Sequence, residues 1–161
     1  DRINTIIAIV NSSPSLTSTN INKLKTEFRQ VIEVDGIAPP RRKHILKILH
    51  STRALDSTLK AILDHYHIRN GKHSIGQYIT QFTVHTNPAL GKLSPSERAK
   101  YQREIADIRN THLHNADSYP RNDSEVFQLI SEIRQGHLRL SEWTISLFDC
   151  PWSSQGVGKC P

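Results

Sequence analysis

Apolar residues recur at intervals of three and four along most of the chain, which is the period of an amphipathic helix. Residues 19–34 carry one such stripe, which Gly36 and Pro39-Pro40 close. Residues 40–68 carry a longer stripe, which would extend about 40 Å as a helix, and Asn70-Gly71 supplies its stop signal. The pattern predicts a short helix followed by the long central helix of a bundle.

Two capping signals mark the starts of further helices. Ser74 to Gln77 reads as a capping box and opens a shorter helix with four residues predicted to face inward: Ile75, Tyr78, Ile79 and Phe82. Ser94 to Glu97 is a stronger capping box, with proline at the first helical position. The helix that it opens is predicted to run towards Tyr119-Pro120, with Tyr101, Ile105 and Ile108 facing inward.

The last periodic segment starts near Asn122 or Asp123 and ends at Cys150-Pro151, with a possible bend at Gly136. Its apolar positions are Val126, Phe127, Ile130, Ile133, Leu140, Ile145 and Leu147. Residues 2–11 fit a helix or a strand, and we favour a helix because a single strand would have no partner. The sequence therefore predicts an all-α, antiparallel bundle of about five to six helices over residues 1–150. Residues 151–161 are predicted to form a tail, in which Trp152 is the residue that would make any packing contact.

The charge of the chain indicates the kind of partner but says little about the fold. The 161 residues carry a formal net charge of +6 and have a pI near 9.6, which favours a polyanion as partner. Lysine and arginine are spread along the chain, so a merely soluble basic surface explains the charge equally well. We expect a soluble, cytoplasmic domain, because no run approaches the roughly 20 apolar residues of a membrane helix and no export leader is visible. The first residue is Asp1, so the domain count of a longer parent protein stays open.

The two cysteines give little information. Cys150 and Cys160 are ten positions apart near the end of the chain, without further metal ligands beside them. We interpret them as free thiols in a reducing compartment, and a local disulfide is the alternative. No cofactor motif is visible, and the histidine spacings do not form a metal pair of the i, i+4 type. Neither a metal nor a cofactor is expected.

The densest run of functional side chains is Arg109-Asn110-Thr111-His112-Leu113-His114. On an ideal wheel of about 100° per residue, the core stripe includes His112, whereas Arg109, Asn110 and His114 are predicted to face away from the core. Arg109 and His114 diverge by about 140° on this wheel, so they meet in one copy only if the helix unwinds. A two-fold pairing of such helices would instead bring two arginines and two histidines into one cleft.

This run resembles the Arg-polar-three residues-His signature of the HEPN superfamily, small all-α domains of which many are RNases in toxin–antitoxin, CRISPR and other anti-phage systems. The resemblance implies a metal-independent endoribonuclease that acts as a homodimer, with a cognate antitoxin or a second domain of a larger protein as a further partner. It assigns His114 as the acid/base group, Arg109 as the phosphate clamp and Asn110 as the residue that orients them. Imidazole and guanidinium suit these tasks at neutral pH. The alternative is a non-catalytic helical bundle that binds RNA or another protein.

Each of these assignments has a plainer alternative. His112 is more readily a buried, hydrogen-bonded histidine than an auxiliary base. Arg109 could be a surface ion-pair partner, His114 a surface histidine and Asn110 a local helix-end residue. Further candidates for an RNA path are five basic residues, each more often a solvated charge: Arg103, Arg121, Arg41, Arg42 and Lys43.

Overall fold

The fold is all-α across the residues that the computed structural model describes, as the apolar periodicity predicts. These residues are 17–36, 40–69, 71–88, 90–115 and 122–133, with Ile7, Ala8, Asn11, Ser118, Pro120 and Gln135. Residues 7, 8 and 11 are helical, which agrees with the helix favoured for the first segment. The predicted tail 151–161 and the apolar positions from Leu140 onward lie outside the described residues.

The first two long helices form a pair. Helix α1 (Ser18–Glu33) begins at Thr17, whose side chain accepts a hydrogen bond from the backbone N–H of Asn20 at 3.3 Å. A 3₁₀ turn, Val34–Gly36, leads towards α2 (Pro40–His65), and the two helices pack against each other. Buried residues at this contact include Leu24 and Phe28 of α1 with Ala54 and Ala61 of α2. The apolar period of residues 19–34 places Ile32 on the predicted stripe, and this was wrong because Ile32 is 50% exposed.

Helix α2 ends three residues before the predicted limit, and the reason is local. His67 has a φ of 56°, the left-handed conformation that usually falls to glycine at a helix end. Its N–H donates to the carbonyl of Asp64 at 3.1 Å, and the N–H of Ile68 donates to the carbonyl of Leu63 at 2.9 Å. These two bonds form a Schellman motif with histidine in the glycine position. The sequence signal at Asn70-Gly71 therefore lies after the true end.

Helix α3 (Ile75–Val84) buries all four residues predicted to face inward. Its cap differs from a full capping box. Ser74 accepts from the N–H of Gln77 at 3.4 Å, but the Gln77 side chain accepts from the N–H of His73 at 3.0 Å. The capping box at Ser94 is confirmed, since its side chain and that of Glu97 each accept from the other's backbone.

The helix that Ser94 opens is continuous but changes type along its length. Helix α4 (Pro95–Tyr101) passes into a π-helical segment (Gln102–Asp107) and then into α5 (Ile108–His114). Asn115 is extended, with φ −105° and ψ 114°, so the helix ends five residues before Tyr119. The last described helix, α6, covers residues 123–133, and Asn122 caps it by accepting from the N–H of Glu125 at 3.1 Å.

One core joins α2, α3, the α4 to α5 helix and α6. Its largest fully buried members are Ile48, Leu55, Leu59, Ile62, Leu63, Ile79, Phe82, Ile105, Leu129 and Ile133. Two buried threonines on α2 are accommodated because their hydroxyls donate to backbone carbonyls one turn earlier: Thr52 to Ile48 at 2.7 Å and Thr58 to Ala54 at 3.0 Å. Phe127, which the α6 stripe placed in the core, is 56% exposed.

Candidate functional site

The π-helical segment changes which face of α5 meets the core. A π turn advances about 87° per residue instead of about 100°, so six residues accumulate a lag of about 80°. With that lag, Arg109 falls on the same line as Tyr101 and Ile105, which are 7% and 1% exposed. Arg109 is indeed half-buried, whereas the ideal wheel placed it outward. Ala106, in the same π-helical segment, is fully buried.

Arg109 faces a carboxylate of the central helix. Asp56 of α2 is half-buried, and burial raises the pKa of its carboxyl, opposed first by the nearby charge of Arg109 and then by that of Lys60. The Nη1 group of Arg109 donates to Oδ1 of Asn110 at 3.2 Å. Its Nε is buried without a hydrogen-bond partner among the described residues. The guanidinium is thus held partly desolvated between α2 and its own helix.

The sequence pattern places Asp56 beside the apolar stripe of residues 40–68, where it is predicted to be a surface charge, and this was wrong. The missed signal is its spacing, since Asp56 lies four residues after Thr52 and three before Leu59, both fully buried. By contrast, Asp64 on the same helix is exposed and pairs with Arg69. A carboxylate on the buried stripe of a helix needs a counter-charge, and Arg109 supplies it.

A cleft of about 410 Å³ opens beside Arg109, between the start of α3 and the π-helical segment. Four of its ten lining residues carry a carboxamide. The lining residues are Lys72, Ser74, Ile75, Gly76, Gln77, Thr80, Gln81, Gln102, Arg109 and Asn110. The structure therefore brings Arg109 and Asn110 together at one concave surface. Lys72, Gln77, Gln81 and Gln102 are additions that the sequence did not indicate.

The two candidate histidines occupy different surroundings. His114 is exposed, as predicted, at the last residue of α5, and it does not line the cleft of Arg109. His112 is half-buried and its Nδ1 lies 3.1 Å from the hydroxyl of Ser118. It lines a separate cleft of about 400 Å³ with Ile48 and Pro120. His112 is thus hydrogen-bonded inside the fold, away from Arg109.

The geometry of α5 keeps Arg109 and His114 apart within one chain. Ile108–His114 is a regular α-helix, so the divergence of about 140° between these positions holds. Five residues also separate them by about 7.5 Å along the axis. The chain leaves the helix only at Asn115, after the histidine. One copy does not place the guanidinium and the imidazole on one phosphate.

The other basic candidates do not join this cleft. Arg103 is exposed and pairs with the neighbouring Glu104 at 2.9 Å. Arg42 is exposed on α2, fourteen residues from Asp56, which corresponds to about 21 Å along the helix. Lys43 is half-buried beside Asp123. The side chain of Arg41 and the whole of Arg121 lie outside the described residues.

The basic residues at the start of α2 lie beside a hydrogen bond that joins two helices. His44 donates through Nε2 to Oδ1 of Asp123 at 2.5 Å and so joins α2 to the first turn of α6. This hydrogen bond is the main reason why the pKa of Asp123 is lowered, and the charges of Lys43 and Lys47 add to it. The hydrogen bond between His44 and Asp123 therefore holds α6 against the central helix.

No three His, Cys, Asp or Glu side chains within the described ranges lie close enough together to hold a metal ion. Among the described helices, none has the length and apolar character needed to cross a lipid bilayer.

No protein-family model matches the sequence, and neither a curated protein nor a solved structure matches the chain. The resemblance of residues 109–114 to the HEPN signature therefore depends on the motif and its helical context.

Proposed function

We propose that the protein is a metal-independent endoribonuclease of the HEPN type, which acts as a homodimer and serves as a cytoplasmic toxin or anti-phage defence effector. The arrangement at the end of α5 carries the proposal. Arg109 and Asn110 are hydrogen-bonded to each other at one cleft, and His114 is exposed at the end of the same helical segment. These are the side chains that the Arg-polar-three residues-His signature contains.

The chemistry requires a base, an acid and a cation. The ribose 2′-OH loses its proton to a base and attacks phosphorus, the bond from phosphorus to the 5′-oxygen breaks, and an acid protonates that oxygen. The products are a 2′,3′-cyclic phosphate and a free 5′-hydroxyl. The imidazole of His114 suits either proton transfer, and the guanidinium of Arg109 stabilises the charge that develops on the phosphorane. Asn110 fixes the position of Arg109 by accepting from its Nη1.

One chain lacks one member of this set, which supports a dimeric site. The reaction needs two proton-transfer groups, whereas the motif supplies one exposed imidazole per chain. Because Arg109 and His114 diverge on α5, a second copy related by a two-fold axis is the simplest way to place both kinds of side chain around one phosphate. Homodimerisation is then part of the mechanism, and a cognate antitoxin or a second domain would act by blocking this cleft.

Cleavage of a labelled single-stranded RNA in excess EDTA tests the proposal. We expect the wild-type protein to cut under chelation, and His114→Ala to lose about 10²-fold or more of the rate, the usual contribution of one acid/base group. His65→Ala is the matched control, because His65 is also an exposed histidine at the last residue of a helix. Equal rates for wild type and His114→Ala, or loss of cleavage on chelation, would overturn the proposal.

Sedimentation velocity tests the dimer separately. The composite site predicts a dimer at the protein concentrations where cleavage is observed, and a rate per chain that rises with concentration until dimerisation is complete. A protein that cuts RNA as a monomer would contradict the composite site.

The second candidate function is a non-catalytic helical module that binds RNA or a protein partner. It is favoured by one observation, that no described residue orients the ring of His114 through a hydrogen bond. Tight RNA binding without cleavage, lost in Arg109→Ala but retained in His114→Ala, would support this candidate over the nuclease.

A further inference from the structure

The cleft beside Arg109 differs from a simple phosphate site in its lining. Four primary carboxamides meet there, from Gln77 and Gln81 of α3, Gln102 of the π-helical segment and Asn110 of α5. A volume of about 410 Å³ lies in the range of small-ligand sites. Carboxamides carry no charge, so they add little to the attraction of a polyanion. They offer paired donors and acceptors, which suit the edge of a nucleobase.

Three of the four carboxamides are fixed by the protein on one side only. The oxygen of Gln77 accepts from the backbone of His73 at 3.0 Å, so its NH₂ group remains as a donor. The NH₂ group of Gln102 donates to Asp107 at 3.0 Å, so its oxygen remains as an acceptor. These partners decide which end of each amide is available.

The other two amides complete the set. The oxygen of Asn110 accepts from Arg109, which leaves the NH₂ group of Asn110 as a donor. The side chain of Gln81 makes no hydrogen bond to another described residue, so both of its ends remain available. The cleft therefore presents oriented donors and at least one oriented acceptor next to a guanidinium.

Gly76 permits this arrangement by its lack of a side chain. A Cβ built at position 76 would lie 2.9 Å from Oε1 of Gln102. The glycine lets the Gln102 carboxamide approach the backbone of the first turn of α3. A larger residue would push that acceptor out of its present position.

We propose that this cleft binds one unpaired nucleotide of the RNA, next to the phosphate held by Arg109, and that its carboxamides read the base. The inference deepens the proposed function and rests on it for the identity of the polymer. The nucleotide must be unpaired, because a duplex hides the base edges in a deep and narrow major groove. Lys72, which also lines the cleft, adds a second positive charge for the backbone.

Nucleotide binding to the full chain tests the inference without requiring catalysis. The four nucleoside 3′-monophosphates are titrated in turn into ¹⁵N-labelled protein, and inorganic phosphate serves as the base-free probe. We expect the side-chain NH₂ signals of Gln77, Gln81 and Asn110 to shift with one base at concentrations at least about fivefold lower than with the least favoured base, the lower end of the discrimination given by one bidentate contact. Absence of shifts, equal shifts with all four bases, or equal shifts with phosphate alone would overturn the inference.

Two variants then locate the effect in the cleft. Gln81→Leu keeps the size of the side chain and removes its free donor and acceptor, so the difference between bases should shrink at least about fivefold. Gly76→Ala displaces the acceptor of Gln102 and should also reduce the difference. Gln128→Leu is the matched control, since Gln128 is an exposed glutamine of α6 on another cleft, and it should change nothing. Loss of discrimination in the control, or none in Gln81→Leu, would contradict the inference.

The two proposals fail in distinguishable ways. Base-dependent shifts without RNA cleavage would remove the nuclease and leave a nucleotide-binding cleft. Cleavage without base-dependent shifts would leave the nuclease and remove the cleft. If both stand, Gln81→Leu should change which base flanks the cut, whereas His114→Ala should lower the rate at every site equally.

Discussion

The ion pair between Lys100 and Glu132 fastens α6 to the helical turn that precedes the π-helical segment. The Nζ atom of Lys100 lies 2.8 Å from Oε2 of Glu132, and the other carboxylate oxygen accepts from Gln128 at 3.1 Å. The Glu132 side chain is 11% exposed and that of Lys100 is 48% exposed. The buried Glu132 carboxylate therefore needs its partner more than the half-exposed Lys100 ammonium does. Removing Lys100 alone and removing Glu132 alone should change the free energy of unfolding by different amounts.

Replacing Lys100 measures how much the Glu132 carboxylate depends on its partner. Lys100→Met leaves a nearly buried carboxylate with one neutral donor, and a hydrogen bond to a charged group contributes about 1.5–3 kcal/mol. Water reaches the half-exposed ammonium, which reduces the contribution, so we expect a loss of about 1–2 kcal/mol. In a chain of 161 residues this lowers Tm by about 2–8 °C. Lys100→Met combined with Glu132→Leu removes both charges and should recover most of the loss.

The pH dependence of the same variant has a definite sign. The hydrogen bond to Glu132 is the main cause that raises the pKa of Lys100 above its ordinary value of 10.5. The protonated lysine is favoured in the folded state, so its contribution to stability is complete below pH 10.5 and is lost as the pH rises through the higher folded pKa. The difference in unfolding free energy between wild type and Lys100→Met should be constant near neutral pH and shrink in alkali.

Urea unfolding followed by circular dichroism measures the wild-type protein, Lys100→Met, Glu132→Leu and the double variant, with Lys92→Met as the control at an exposed lysine. The reasoning would be refuted if Lys100→Met matched Lys92→Met, or if the double variant were as unstable as the sum of its single substitutions.

Two further predictions concern α2. Glu27→Ala removes the acceptor that joins α1 to His50 at 2.7 Å, and it should cost about 1–3 kcal/mol in urea unfolding because the ring nitrogen is left unpaired; Glu33→Ala, at an exposed site, should cost less than about 0.5 kcal/mol. Asp56→Asn should stabilise the protein at pH 7, since burial raises the pKa of Asp56 despite Arg109 and so disfavours its charged form in the fold. This gain should vanish below pH 3.8, the ordinary carboxyl value, and an equal loss at every pH would contradict the assignment.

Local signals in the sequence predicted most of the helices. The capping box at Ser94 was confirmed because its two hydrogen bonds involve residues three apart and need no tertiary context. The inward face of α3 was confirmed because ten regular residues keep their phase. The predicted end of α2 was wrong because His67 takes the left-handed conformation, for which glycine is the usual signal.

The candidate site was predictable only in part. The π-helical segment explains why the orientation of α5 relative to the core could not be predicted. Relative positions within α5 follow from the sequence, so the divergence between Arg109 and His114 holds in the structure. The direction in which these two side chains point relative to the core does not follow from the sequence, because the π-helical segment upstream rotates the whole of α5. That rotation carries Arg109 inward, opposite Asp56, and leaves His114 in solvent.

The same rotation explains why the cleft could not be read from the sequence. Its lining comes from three elements that meet only because Gly76 lets the π-helical segment approach α3 and because the rotated α5 brings Asn110 to the same side. Each carboxamide, taken alone, is an ordinary residue of a helix surface. A motif defined by spacing along one helix identifies the group that would act on the phosphate, whereas the group that would select the base depends on how separate helices are placed. Specificity at such a site therefore requires the fold, even where the chemistry is suggested by six consecutive residues.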